Sequence, residues 1–200
     1  MKPMMVLIAT IVSGLIAFSV QAEGNTDWTK LKAKKQTELG LYMTPQQASS
    51  YMEKHADKAL FIDVRSRPEV NFLGMPTVAS ANIPYMKLTD WYSWNTKKNN
   101  FDMEVNSDFA ASVDARVKEK GLSKQDTVIL ICRSGSRSSK AANLLTSLGY
   151  TKVYSIPEGY EGDKSKVAGT KGQRVVNGWK VAGLGWSYKL NRDKMYKVGE

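Results

Sequence analysis

The sequence predicts an α/β fold in which a parallel sheet carries helices on both faces. Three short apolar runs have the length and composition of buried strands, at residues 59–64, 127–131 and 152–156. Segments with helical spacing of apolar residues separate these runs, and strands that alternate with helices are typical of parallel sheets. A further, shorter strand is expected within residues 79–84.

Capping signals place the first helix. Thr44 is a good N-cap residue, Pro45 suits the first helical position, and Gln47 completes a capping box. The helix is expected to run to about His55. Because His55 is the only histidine in the chain, a His-rich metal site is excluded.

The later helices have weaker boundary signals. Ser107 is expected to cap a helix that ends near Gly121. Another helix should follow residues 132–137 and end at Gly149, a frequent helix stop. A short helix is expected within residues 175–184. Long loops are expected at residues 91–106 and 157–172.

The composition is that of a globular protein and excludes collagen-like, fully disordered and multi-span membrane chains. The 200 residues are 42% hydrophobic and 24% charged, with 15 Gly and 6 Pro. One Cys excludes an internal disulfide. The 29 Lys and Arg against 19 Asp and Glu give a net charge of +10, which favours anionic partners or substrates.

An export signal is expected at the start of the chain. Lys2 precedes an apolar run over residues 4–20, and small residues stand at signal-peptidase spacing up to Ala22. The alternative is a retained membrane anchor, but the run is at the short edge of what a spanning helix needs. Residues 1–22 are therefore predicted to be a cleaved signal peptide, and the mature protein to be periplasmic or secreted without stable membrane association.

Cys132, the single cysteine of the chain, is the main candidate for a reactive residue. An unpaired thiol in an oxidising compartment is a liability unless it is buried or used. Cys132 follows the most apolar expected strand, precedes a helix N-terminus, and is flanked by Arg133 and Arg137. The helix end and both cations favour the thiolate, which is the nucleophilic form. The alternative is an inert, buried cysteine.

Small residues fill the loop that follows Cys132. Ser134, Gly135 and Ser136 leave room for backbone N–H groups to turn inward, and Gly135 can adopt a positive φ. A ring of inward N–H groups is an anion nest. Such a nest would hold a sulfur anion on Cys132 or a bound oxyanion.

Seven consecutive residues of this chain resemble the active-site loop of rhodanese-like sulfurtransferases. They are Cys132-Arg133-Ser134-Gly135-Ser136-Arg137-Ser138. Further landmarks of that family stand in the same order at residues 61–65, 81–84 and 178–184. The resemblance covers residues 42–188, with a polar arm at 23–41 and a basic tail at 189–200. It implies an exported, single-domain member with a three-layer α/β/α fold and a five-stranded parallel sheet.

That resemblance also implies sulfur transfer in two half-reactions. Cys132 would attack the outer sulfur of an anionic donor such as thiosulfate, release sulfite and keep the sulfur as a persulfide. An external acceptor such as cyanide, a small thiol or a partner protein would then take it. Backbone N–H groups of residues 133–138 would hold the persulfide, while Arg133 and Arg137 would help to bind the donor. No cofactor and no metal are implied.

Two groups of residues around this loop have open interpretations. Asp63 either forms an ion pair with an arginine of the Cys132 loop or forms a structural salt bridge with Arg65. Residues 91–106 and 160–173 look like insertions relative to a minimal domain of the family. Their aromatic residues either wall the pocket or pack elsewhere. These aromatic residues are Trp91, Trp94 and Tyr160.

Two other functions stay open. A carrier would accept one sulfur on Cys132 and hand it to a partner protein without turnover. A Cys-dependent phosphatase uses a Cys-X5-Arg loop, whereas four residues separate Cys132 from Arg137 here, so this loop favours a smaller anion. A nucleic-acid partner is not expected, because no recognition motif accompanies the positive charge.

Overall fold

The computed structural model describes residues 26–89 and 93–197. Its α-helices are α1 (Pro45–His55), α2 (Arg67–Leu73), α3 (Phe109–Glu119) and α4 (Ser136–Ser147). Its strands are β1 (Ala59–Asp63), β2 (Met75–Pro76), β3 (Ala81–Asn82), β4 (Met86–Leu88), β5 (Trp94–Asn95), β6 (Asn100–Phe101), β7 (Met103–Val105), β8 (Thr127–Ile131), β9 (Val153–Ser155) and β10 (Trp186–Ser187). The predicted signal peptide, residues 1–22, and Trp91 lie outside the described residues.

The central sheet is parallel, as predicted, and has the strand order β3-β1-β8-β9. Strands β1 and β8 pair over five residues, from Ala59 opposite Thr127 to Asp63 opposite Ile131. In place of a fifth strand, the described residues have two isolated parallel bridges at the edges of the sheet, Tyr42 with Ser155 of β9 and Asn82 of β3 with Met195. The α/β class is therefore confirmed, with a four-stranded parallel sheet.

Helices cover both faces of the sheet, so the predicted three-layer arrangement is confirmed. Every residue of β1 and β8 is buried, as expected for strands covered on both sides. One face of β1 and β8 packs against α3 and α4. This side of the core includes Leu60 of β1, Leu130 of β8 and Leu145 of α4. The opposite face packs with α1 and with the segment around Trp179, and includes Phe61 and Ile129.

The first helix begins where its capping box predicts. Thr44 accepts a hydrogen bond from the Gln47 N–H at 3.1 Å, and the Gln47 side chain accepts one from the Thr44 N–H at 2.9 Å. The helix ends at His55, which is exposed and in ring contact with Tyr51. The predicted start and end of α1 are confirmed.

The predicted cap of α3 is wrong by one residue. The N-cap is Asp108 rather than Ser107, and the Asp108 N–H donates to the Asn106 side chain at 3.3 Å. The Asp108 carboxylate makes no cap hydrogen bond, because it accepts from Tyr196 and Lys197 instead. A tertiary contact with the end of the chain therefore decides this boundary.

The short helix expected within residues 175–184 does not form. The segment is a series of turns with positive φ at Gly178 (+101°) and Gly183 (+69°). The Trp179 N–H donates to the Gly159 carbonyl at 2.9 Å, and the Lys180 N–H donates to the Tyr160 carbonyl at 3.2 Å. These bonds to a distant loop replace the helical ones.

The expected loop at residues 91–106 contains strands in its described part. Strand β5 pairs with β6, where Trp94 and Phe101 pack edge to face at 5.1 Å. Strand β7 pairs with β4, so that Leu88 faces Met103. Residues 86–89 and 93–105 therefore form two short antiparallel ladders, which we call the hairpin region.

The arm before α1 is not fully solvated. Its described part forms 3-10 turns at Trp28–Lys30 and Ala33–Lys35. Lys35 is only 5% exposed, and its Nζ donates to both carboxylate oxygens of Asp163 at 3.0 Å. The Ser139 hydroxyl of α4 also donates to the Lys34 carbonyl at 2.9 Å. The arm is therefore attached to α4 and to the loop after Tyr160.

We expect Thr44→Ala to lower the free energy of unfolding by about 1 kcal/mol, because the first turn of α1 loses its capping acceptor. Urea denaturation measures this change. Thr151→Ala is the control, because Thr151 is exposed outside a helix, where substitutions typically change stability by less than about 0.5 kcal/mol. Equal losses in the two variants would contradict the capping role.

Candidate functional site

Cys132 follows the last residue of β8, at the carboxyl end of the sheet. Alternation along the strand places Cys132 on the same face as Val128 and Leu130, toward α3 and α4. The residue is 1% exposed and lies at the base of a cavity of about 400 Å³. Sites beyond the carboxyl ends of parallel strands are where α/β proteins bind ligands.

The thiol is held by the turn that starts α4. The Gly135 N–H donates to the Cys132 Sγ at 3.1 Å, and the Ser138 Oγ lies 3.5 Å from the same sulfur. The Ser155 hydroxyl donates to Ser138 at 2.9 Å, so a second side chain fixes Ser138 in place. Gly135 has φ +93°, as the predicted inward turn requires.

The loop after β9 is hydrogen-bonded to the backbone of the Cys132 loop. The Tyr160 N–H donates to the Cys132 carbonyl at 2.8 Å, and the Glu161 N–H donates to the Arg133 carbonyl at 3.0 Å. The contact is close enough to require glycine. A Cβ on Gly159 would lie 2.5 Å from the Ser134 nitrogen, and a Cβ on Gly135 would lie 2.2 Å from the Pro157 carbonyl oxygen.

Arg137 makes a two-point ion pair with Glu69 of α2. Its two terminal nitrogens lie 2.6 and 2.5 Å from the two Glu69 oxygens. Burial alone would raise the pKa of Glu69, but the hydrogen bonds and charge of Arg137, with the hydrogen bonds of Ser66, lower it to about 2. Burial alone would lower the pKa of Arg137, but its hydrogen bonds to Glu69 and the negative charge of Glu69 raise it.

Glu69 is a site residue that the sequence interpretation missed, together with α2. A signal for both is present. Ser66 and Glu69 form a capping box, in which the Glu69 carboxylate accepts from the Ser66 N–H at 2.9 Å, and Pro68 stands in the first turn. The capping box marks the start of the helix. That its carboxylate also meets Arg137 depends on the tertiary fold.

Arg133 also has a carboxylate partner. Its Nε donates to the Glu161 Oε2 at 2.5 Å, while about half of the Arg133 side chain is exposed. Both arginines of the predicted loop, together with Ser134 and Ser136, line the cavity above Cys132. The loop residues are thus brought together as predicted, but each arginine is already bound by a carboxylate.

Asp63 forms a salt bridge with Arg65, which is the second of the two interpretations considered from the sequence. Both side chains are fully buried, with Arg65 Nε 2.9 Å from Asp63 Oδ1 and Nη2 2.5 Å from Oδ2. Neither side chain hydrogen-bonds to residues 132–138 in the part of the chain that the structure describes. The Arg65 guanidinium instead stacks 3.7 Å from the Tyr160 ring centre, in the loop after β9.

Part of the cavity lining is apolar, and we call this part the apolar wall. It consists of Pro68 of α2 and of Leu88 and Met103 of the hairpin region. Of the aromatic residues considered from the sequence, Trp94 and Tyr160 are among the described residues, and neither lines the cavity. Trp94 is exposed, and Tyr160 is buried. Among the described residues of the two insertions, Met103 is the one that lines the cavity.

Within residues 26–89 and 93–197, no cluster of His, Cys, Asp and Glu could hold a metal ion. Within those same two ranges, no helix has the length and apolarity needed to span a bilayer.

Comparisons with known proteins identify a family and several similar chains. The family model of the rhodanese-like domain matches residues 44–166. An uncharacterized protein of Rickettsia conorii is 30% identical over 132 residues, which cover 66% of this chain and 85% of that protein. The crystal structure of Rv0390 from M. tuberculosis has 27% identity and a TM-score of 0.54, covering 74% of this chain and 96% of that one. A thiosulfate sulfurtransferase of Tolumonas auensis is 49% identical over 41 residues, or 20% of this chain and 39% of that protein.

We expect Gly159→Ala to be more destabilising than Gly169→Ala by roughly 2 kcal/mol. Both glycines have positive φ, +70° and +85°, so both alanines bear the left-handed strain. Only the Cβ at position 159 would meet the backbone of the Cys132 loop, since position 169 faces open space. Urea denaturation of the two variants measures the difference. Equal losses in the free energy of unfolding would contradict the close contact between Gly159 and the Cys132 loop.

The Glu69–Arg137 ion pair gives a pH-dependent prediction. The folded pKa of Glu69, about 2, lies below its ordinary value of 4.5. Its stabilising contribution, on the order of 3 kcal/mol by linkage, is therefore complete above pH 4.5 and lost as the pH falls toward 2. A double-mutant cycle with Glu69→Gln and Arg137→Gln, followed by urea denaturation, measures the coupling. A coupling energy that stays constant from pH 7 to pH 2 would contradict this account.

Proposed function

The chain belongs to the rhodanese-like family, and we propose that it transfers sulfane sulfur through a persulfide on Cys132. The observation that carries this proposal is the hydrogen bond from the Gly135 N–H to the Cys132 Sγ at the base of an open cavity. A backbone N–H is a donor that a sulfur anion can accept from, and the positive end of α4 lies next to the same sulfur. A buried thiol without such donors would be inert.

The first half-reaction loads the sulfur. The Cys132 thiolate attacks the outer sulfur of thiosulfate or a similar donor, and a new S–S bond forms as the bond inside the donor breaks. The electron pair leaves with the remainder, which is sulfite when the donor is thiosulfate. Backbone N–H groups at the start of α4 would hold the negative terminal sulfur of the persulfide, and the Gly135 N–H, which already donates to the Cys132 Sγ, supports this step.

The second half-reaction unloads it to an external acceptor. Because the chain has a single cysteine, no second thiol of the same chain can take the sulfur. An acceptor such as cyanide, a small thiol or a partner protein attacks the terminal sulfur and regenerates the Cys132 thiolate. Sulfur transfer of this kind follows ping-pong kinetics.

Phosphatase chemistry has less support from the geometry. A phosphate ester would need a free arginine in the loop to bind its oxygens. Arg137 has both terminal nitrogens bonded to Glu69. We therefore retain sulfur transfer as the function of the site.

We further propose that the protein acts outside the cytoplasm, in the periplasm or the medium. The support is the N-terminal sequence alone, in which an apolar run over residues 4–20 is followed by small residues up to Ala22. An unpaired cysteine is compatible with an oxidising compartment when it is buried, as Cys132 is.

Intact mass spectrometry tests the persulfide directly. We expect the purified protein to gain the mass of one sulfur atom after thiosulfate or another sulfane donor, and to lose it after cyanide. Cys132→Ser is expected to show no gain and to retain the fold, because it replaces one small buried side chain. Transfer by Cys132→Ser at the wild-type rate would overturn the mechanism.

The same samples separate an enzyme from a carrier and test export. Continuous formation of thiocyanate from cyanide indicates turnover, whereas one sulfur taken up and retained in the presence of small acceptors indicates a carrier. The starting mass of protein recovered outside the cytoplasm shows whether residues 1–22 have been removed.

A further inference from the structure

We propose that the Cys132 cavity selects organic sulfur donors with at most one negative charge and an apolar substituent over dianionic thiosulfate. Thiosulfonates and hydropersulfides are donors of this class. This inference rests on the proposed persulfide function and specifies its donor. It departs from the expectation that Arg133 and Arg137 are present to attract a dianion.

The charges that line the cavity are already compensated. Arg137 is held by Glu69 at two points, and Arg133 is held by Glu161. Two cations and two carboxylates cancel, so the Cys132 thiolate leaves the region negative. A dianion that approaches this thiolate meets repulsion, and both arginines of the cavity lining already have a carboxylate partner.

Arg174 is a further cation near the loop, but it lies outside the cavity lining. Arg174 is close enough for Cys132, Glu161 and Arg133 to influence its pKa, which burial and Arg133 lower. Its side chain donates to the Gly162 carbonyl, and it does not line the cavity. Arg174 is therefore not placed to bind the outer part of a donor.

The cavity that Cys132 lines is also lined by the apolar residues Pro68, Leu88 and Met103. In this proposal, the part of the donor that does not react lies against them. Leu88 and Met103 face each other across β4 and β7. A sulfonate group there would lose hydration without gaining donors, whereas an aromatic or alkyl group would bury apolar surface.

The transfer step is balanced for a donor of this class. The Cys132 thiolate attacks the terminal sulfur of a thiosulfonate, R–SO2–S⁻, and forms the Sγ–S bond. The S–S bond of the donor breaks, and its electron pair leaves with the sulfinate R–SO2⁻. One persulfide anion and one sulfinate anion replace one thiolate and one thiosulfonate anion, so no oxidant, reductant or proton is needed.

Steady-state kinetics with three donors test the proposal. The donors are thiosulfate, methanethiosulfonate and benzenethiosulfonate, with cyanide as the acceptor. The two thiosulfonates share their charge and a sulfinate leaving group, so their comparison isolates the apolar contact. We expect the wild-type KM for benzenethiosulfonate to be about ten-fold lower than for methanethiosulfonate, since its ring is buried against the wall.

Leu88→Asn tests the wall, with Val105→Asn as the matched control. Both residues lie on the paired strands of the hairpin region and are about half exposed, at 43% and 50%, but only Leu88 lines the cavity. We expect Leu88→Asn to remove most of the preference for the benzene donor over the methane donor, because the apolar contact with the ring is lost. Val105→Asn is expected to leave the preference as in the wild type.

Glu69→Gln tests the charge balance. The amide oxygen can still accept the Ser66 hydrogen bond, but the charge that neutralises Arg137 is removed. We expect kcat/KM for thiosulfate, relative to benzenethiosulfonate, to rise about ten-fold, because a charge-assisted hydrogen bond becomes available to the dianion. Taking the ratio within each variant cancels the difference between the leaving groups.

The outcomes separate this inference from the function on which it rests. Equal KM values for the two thiosulfonates in the wild type, or an unchanged preference in Leu88→Asn, overturn the role of the wall. A thiosulfate ratio that does not rise in Glu69→Gln overturns the role of charge. If no donor adds sulfur to Cys132 by intact mass, the persulfide function itself fails.

Discussion

The turn between β8 and α4, in which the Gly135 N–H donates to the Cys132 Sγ, constrains the rest of this site. It requires φ +93° at Gly135, and it leaves the Cys132 and Arg133 carbonyls to be satisfied by the chain after β9. That chain can come so close only because position 159 is glycine. The residues from Ile156 to Glu161 are therefore as much a part of the site as the Cys132 loop, although they contribute no nucleophile.

The second layer of constraint is electrostatic. Glu69 caps α2 and at the same time binds Arg137, so a single carboxylate fixes the start of α2 relative to the first turn of α4. On the other side, Arg65 links β1 to the loop after β9 through its stacking on Tyr160, while Asp63 compensates its charge in a fully buried pair. Removing one partner of such a pair leaves an uncompensated charge, which is much more damaging than the pair is stabilising. The arrangement thus holds the geometry of the site more than it adds to stability.

What the sequence predicted well is what depends on neighbouring residues. The strands β1 and β8, the capping box of α1 and the turn at Gly135 are each encoded within a few positions, and all are present in the fold. The start of α3, the turns around Trp179 and the hairpin region differ from the expectation because distant residues decide them, such as Lys197 for Asp108 and Gly159 for Trp179. The same distinction holds in the site. Cys132 and its arginines can be identified from one short stretch, whereas Glu69 and Glu161 are far from it in sequence and become partners only through the fold.

Because the residues around the Cys132 loop come from distant parts of the sequence, donor selectivity can vary between related chains while the loop stays the same. In the proposed function, the Cys132 loop supplies the nucleophile and the N–H donor for a persulfide, and these requirements are the same for any sulfane donor. The carboxylates that bind the loop arginines, Glu69 and Glu161, lie outside the loop. The apolar residues Leu88 and Met103, which line the same cavity, also lie outside it. Two chains with an identical loop can therefore differ in donor preference when the carboxylates differ or the hairpin region is absent. Because Arg137 contributes to an anion site only to the extent that its charge is not neutralised, its presence in the loop does not by itself indicate a dianionic substrate.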